Sequence, residues 1–247
     1  MHRVKEFFQS SQAIETQISA TSFEPFPYPT TPYDFLEYAE LDLQADSPHA
    51  LANSLANSKR AMDCELDYFL KSYGLEPLAI GEKWPTARKL RLVGDLGVVP
   101  NRILYKINNA RNDLEHRFEL PSRQTAENAL DAVGTFVAAV DAYLYPVHSG
   151  AYFFIQPSDL GDKEPLERFM TPHEAFLQLD LEADGNIKAL GRLHSVDYTF
   201  QVNVVTHTLN YLYLLTFMLH FHRFYMPNAS KFFSKLKYFR EDGSNEN

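Results

Sequence analysis

Residues 47–74 read SPHALANSLANSKRAMDCELDYFLKSYG. Ser47 before Pro48 is a helix start, with serine as N-cap and proline at the first helical position. Apolar residues then recur at Leu51, Leu55, Met62, Leu66, Phe69 and Tyr73, steps of four, seven, four, three and four. That is one stripe of a long amphipathic helix, which Gly74 ends. A shorter helix is expected over about 85–95, closed by Gly94 and Gly97. Pro100 opens a third, with Ile103, Ile107, Ala110 and Leu114 on its core face. A fourth begins after Pro121 with Ser122 as cap and carries the stripe Ala126, Leu130, Val133, Val137, Val140, Leu144 until Pro146 and Gly150 stop it. Four helices with short connections make a bundle of about 100 residues.

Outward from the bundle the pattern changes on both sides. Residues 22–33, SFEPFPYPTTPY, hold four prolines and four aromatics and read as an extended arm. After Gly150 the period falls to two. Leu177–Asp184 alternates apolar and polar and runs into the tight-turn signal Asp184-Gly185-Asn186, and Val196–Val204 alternates again. Residues 152–155 read as a further strand, and 206–225 as a buried helix. The expected fold is mainly α: a four-helix bundle followed by a small α+β part with an antiparallel sheet. The expected division is 1–46 (N-terminal segment and arm), 47–147 (helical domain) and 148–247 (α+β region with a flexible tail).

Composition bounds the function. Of 247 residues, 45% are hydrophobic and 22% charged, which suits a globular chain. The net charge of −9 opposes long-range attraction to nucleic acid or anionic membrane, so any RNA contact needs a local basic patch. Residues 83–117 supply one, with eight Lys or Arg against three acids, and residues 222–240 carry five cations and no acid. Cys64 is the single cysteine, so neither an intrachain disulfide nor a cysteine-based zinc site is expected. Neither an export signal nor a membrane span is expected, and a cytoplasmic protein is. His220-x-His222 is read as core packing, so the expectation is no metal and no cofactor.

The third helix has an unusual outer face. Asn108, Asn112 and His116 lie at i, i+4 and i+8, flanked by Tyr105 and Asn109, where Glu, Lys and Arg are the norm. Each asparagine there costs about 0.5 kcal/mol relative to alanine, so the face answers some demand other than helix stability. The string is Arg111-Asn112-Asp113-Leu114-Glu115-His116. Arg-x4-His arises by chance about 0.4 times in such a composition, and requiring Asn after Arg lowers that to roughly 0.02. A second Arg-x4-His, Arg168 to His173, contains Pro172 and is set aside.

Arg-Asn-x3-His, late in the third helix and followed by a fourth long helix, resembles the HEPN superfamily (higher eukaryotes and prokaryotes nucleotide-binding). Ser58-Lys59-Arg60-Ala61 and the stretch LRLVGDLGVVPNRIL before the motif resemble its prokaryotic members. The resemblance spans about 47–147. It implies a metal-independent RNA endonuclease acting as a homodimer in toxin–antitoxin, phage-defence or RNA-processing roles. Carried across, Arg111 and His116 of two subunits converge on one phosphate and Asn112 orients them. Asn108, Tyr105 and Asn109 form the supporting polar face, and Arg102, Lys106 and Arg117 the RNA-binding surface. Arg111 and His116 are 140° apart around one helix, so a two-fold pairing of helices is needed to bring them to one phosphate. Expected partners are RNA, a second copy of the chain and a separate antitoxin or regulatory protein. The same resemblance admits a non-catalytic module that dimerises or binds a nucleotide or protein.

Overall fold

The structure, a computed structural model of the chain, describes residues 1–9, 14–20, 26–45, 47–100, 120–144, 150–155, 175–182, 184–193, 199–206, 208–225 and 229–240. It is mainly helical, with one five-stranded antiparallel sheet. It divides into two compact units, 1–22 with 148–247, and 23–147.

The helical unit is built on α2 (Pro32–Gln44), α3 (Pro48–Ser72) and α6 (Arg123–Leu144), with the short α4 (Glu76–Gly81) and α5 (Thr86–Asp95) between the last two. Residues of the α3 stripe, Leu51, Leu55, Met62, Leu66, Phe69 and Tyr73, are all buried. They face Leu36 and Ala39 of α2 and Val133, Phe136, Val137 and Val140 of α6. Ser47 accepts from the Ala50 amide and Ser122 from the Thr125 amide, as helix caps do. Gly74 takes φ 65° where α3 stops, and the Leu75 amide turns back to the Leu70 carbonyl. The Tyr73 hydroxyl donates to the Tyr143 carbonyl at 2.6 Å, tying the end of α3 to the end of α6.

Helix α2 corrects the extended-arm reading. Thr31 and Asp34 form a capping box: the Asp34 amide donates to Thr31 Oγ1 at 3.1 Å and the Thr31 amide to Asp34 Oδ2 at 2.7 Å. Pro32 is thus the first helical residue, not the end of an arm. Upstream, Phe26 packs edge-on against Tyr68 of α3.

The sheet unit corrects the expected division at the N-terminal end. Residues 1–46 do not act as one segment. Helix α1 (His2–Gln9) and strand β1 (Glu15–Ala20) belong with the C-terminal part. The sheet order is β1, β2 (Gly150–Ile155), β3 (Ala175–Leu181), β4 (Ile187–Arg192), β5 (Phe200–Val204). Strand β1 pairs with β2 from Glu15↔Phe154 to Ala20↔Gly150, with a register shift between Ile18 and Ala20. The helical unit is therefore spliced between two neighbouring strands. The β3–β4 hairpin turns at Asp184-Gly185-Asn186, where Gly185 has φ 80° and Asp184 accepts from the Asn186 amide. Gly191 permits a close approach, since a Cβ there would lie 2.8 Å from both the Phe176 carbonyl and the Phe200 ring.

The run 206–225 is helix α7 (Leu209–Leu219) followed by a 3-10 turn (Phe221–Tyr225), with α8 (Ala229–Phe233) and α9 (Lys237–Arg240) after it. An aromatic cluster joins the ends of the chain. Phe8 of α1 stacks on Phe217 of α7 at 3.7 Å and meets Phe153 of β2 edge-on at 5.1 Å. Phe217 also contacts Phe233 at 5.1 Å. Phe217 is 1% exposed, so Phe217→Ala should cost about 3–5 kcal/mol, read as lost hydrogen-exchange protection of the β2 and β3 amides. A loss below about 1 kcal/mol would show that this cluster does not hold the unit together.

Candidate functional site

The nine residues singled out in the sequence, Arg102, Tyr105, Lys106, Asn108, Asn109, Arg111, Asn112, His116 and Arg117, lie outside the described residues, as do Arg168 and His173. The structure describes the two ends that hold them. Upstream, the Val98 amide turns back to the Val93 carbonyl around Gly97, and Val98 and Val99 are buried. Downstream, Ser122 caps α6.

Part of the basic patch is described. Arg88 pairs with Glu82 at 2.7 Å and lies over the Trp84 ring, and Lys89 pairs with Asp67. Lys83 and Arg91 are exposed. In the second basic stretch Arg223 lies 4.8 Å over the Phe232 ring and Lys237 lies over that of Tyr238. His220 is buried and packs edge-on against Phe232, with the His222 ring 6.3 Å away. Burial, then Arg223, holds His222 below the usual histidine range. Among the described residues no three His, Cys, Asp or Glu gather as a metal site, and no helix is long and apolar enough to cross a membrane.

The most unusual chemistry that is described lies inside the helical unit. Ser54, Ser58, Ala61, Glu65 and Ser72 form a second stripe on α3, steps of four, three, four and seven, and all are buried. Ser58 returns its hydroxyl to the Ser54 carbonyl. Glu65 is 2% exposed, and among the described residues its Oε1 has no hydrogen-bond partner, nor do the Ser54 and Ser72 hydroxyls. Burial, then the charge of Asp141 on α6, pushes the Glu65 carboxyl up to about 8. Asp141 in turn accepts from the Tyr33 hydroxyl at 3.1 Å, and burial followed by Asp141 pushes Tyr33 up to about 12. Beside Glu65, burial pushes the Cys64 thiol up to about 11, so it stays a thiol, and it points at the Thr30 carbonyl. Glu65 is thus a neutral acid at pH 7, able to give up a proton but sealed from solvent. Its signal in the sequence was the stripe of small polar residues running beside the apolar one.

A shallow polar groove of about 260 Å³ lies over the β3–β4 turn, lined by Glu182, Asp184, Lys188, Gln201 and Asn203 among others. Asn186, also in its lining, is occupied: its side-chain oxygen accepts from the Thr206 amide and hydroxyl.

Comparison of the chain with protein-family models, curated proteins and solved structures finds no match.

The Glu65 carboxyl makes stability depend on pH with a definite sign. The folded protein holds the proton up to about pH 8, whereas the unfolded chain releases it near its ordinary value of 4.5. The stabilisation is complete below pH 4.5 and is lost as pH rises through about 8. At about 1.4 kcal/mol per pH unit this amounts to a few kcal/mol. Glu65→Gln, which copies the neutral acid, should match the wild type in thermal unfolding near pH 5 and exceed it increasingly towards pH 8.5. A difference in Tm that does not change with pH would show that Glu65 is not held neutral.

Proposed function

We propose that the chain is a metal-independent RNA endonuclease of HEPN type that acts as a homodimer. The observation that carries this reading is the string Arg111-Asn112-x3-His116 between α5 and α6 of a helical unit. Support comes from the two long helices α3 and α6 that frame the unit, and from the local net charge of +5 over 83–117 in a chain of −9.

The chemistry follows from the residue types. Cleavage without metal requires that the 2′-hydroxyl lose a proton and the 5′-oxygen gain one. A histidine titrating near neutrality serves either transfer. Charge growing on the phosphate calls for a fixed cation, and the planar guanidinium of Arg111 meets two phosphate oxygens at once. Asn112 orients the pair. The second copy brings its own Arg111 and His116 to the same phosphate, which one helix cannot do alone.

A second reading is a non-catalytic HEPN module that dimerises or binds a nucleotide or protein. The ion pairs of Arg88 and Lys89 favour it, because they withdraw two cations from any RNA-binding surface.

Incubation of the purified protein with mixed RNA in EDTA separates the two. Cleavage should persist in chelator and leave a 2′,3′-cyclic phosphate and a 5′-hydroxyl. His116→Ala should slow it about 10²–10⁴-fold, and Arg111→Ala about 10²–10³-fold. Arg111→Lys should restore little, since an ammonium lacks the two-point geometry. Cleavage that requires metal, or that is indifferent to both substitutions in a folded protein, excludes the ribonuclease reading.

A further inference from the structure

The two edges of the sheet are finished differently. The β1 edge is irregular and covered: its register shifts between Ile18 and Ala20, and the Thr16 hydroxyl donates to the Phe221 carbonyl of the 3-10 turn packed beside it. Such bulges and covering segments are how proteins prevent strands of other chains from adding to a sheet. Among the described residues the β5 edge has none of these. Its register with β4 is unbroken from Gly191↔Phe200 to Ile187↔Val204. The run Thr199–Thr206, TFQVNVVT, contains no charge, no proline and no glycine. Among the described residues, the backbone groups on the outer side of β5 have no partner.

We propose that the β5 edge is a pairing surface for β5 of a second copy of this chain, antiparallel about a two-fold axis through Val202. Two observations favour a copy over an unrelated strand. First, the side-chain pattern matches itself. Pairing about Val202 sets Phe200 against Val204 of the copy, so the buried face of one sheet continues into the other. Second, it sets Gln201 against Asn203 of the copy on the exposed face, where two amides can bond to each other. Phe200 is held in place for this by Gly191, against which its ring rests. The surface lies in the sheet unit, so the inference does not rest on the ribonuclease reading.

The test is sedimentation of the full chain up to about 100 µM, comparing wild type with Gln201→Lys/Asn203→Lys and Gln201→Glu/Asn203→Glu. Both positions are solvent-facing, so the variants keep the fold, which circular dichroism checks. Like charges then oppose each other twice across the axis. Association should weaken about tenfold or more in each variant alone and return when the two are mixed. Wild type that stays monomeric, association equally strong in all three, or a mixture that fails to recover would each overturn the inference. In the second and third cases the ribonuclease reading, whose dimer lies elsewhere, still stands.

Discussion

The pairing of β1 with β2 is the constraint on which the rest depends. Ala20↔Gly150 closes a loop that contains the whole helical unit. Closure entropy grows only logarithmically with loop length, so the insertion is tolerated provided the closing contacts are good. Backbone bonds alone would be a weak clasp for six residues. The remainder comes from α1, which delivers Phe8 into the cluster of Phe153 and Phe217 beside the strand it precedes. Aromatic pairs of this kind add about 0.5–1.5 kcal/mol beyond the area they bury. Remove β1 and β2 becomes an edge.

What was legible in the sequence was whatever repeats with a period and carries a cap. The α3 and α6 stripes are long, regular and start at Ser47 and Ser122, so they could be read directly. The hairpin announced itself through Asp184-Gly185-Asn186. Strand β1, ETQISA, has almost no such signal, because only its ladder to β2 makes it a strand. Strand β4, IKALGR, is similar: Gly191 looks like a breaker and is in fact needed for the Phe200 ring. Helix α2 was legible in principle. Thr31-Pro32-Tyr33-Asp34 is a capping signal, but it follows three prolines that argue for an extended chain. Of the candidate site, the residue types and the spacing could be read, and their placement lies outside the described residues. Glu65 was missed because an acid beside an apolar stripe is usually solvated.

The Ser–Glu stripe on α3 explains how a long helix can lie between α2 and α6 while carrying so many polar atoms. Ser58 satisfies its hydroxyl within the helix. Glu65 has no such route, and with Asp141 nearby the cheaper response is to keep its proton rather than bury a charge. The same surroundings keep Cys64 a thiol and remove it as a nucleophile. The raised acid and the raised thiol on consecutive residues thus share one leading cause, desolvation, which is nearly complete at Glu65 and partial at Cys64.

On the ribonuclease reading, electrostatics locates the RNA contact narrowly. Arg88 is held by Glu82 and Trp84, and Lys89 by Asp67, so α5 contributes Arg91 and the preceding turn Lys83. Arg223 and Lys237 lie over rings of their own unit. The remaining cations of the first patch are Arg102, Lys106, Arg111 and Arg117, all within the stretch that carries the motif. Phosphate affinity and phosphate chemistry would then share one short segment. Substitutions there should weaken binding and rate together, whereas neutralising Arg88 or Lys89 should alter neither by much, because their charges are already spent within the protein.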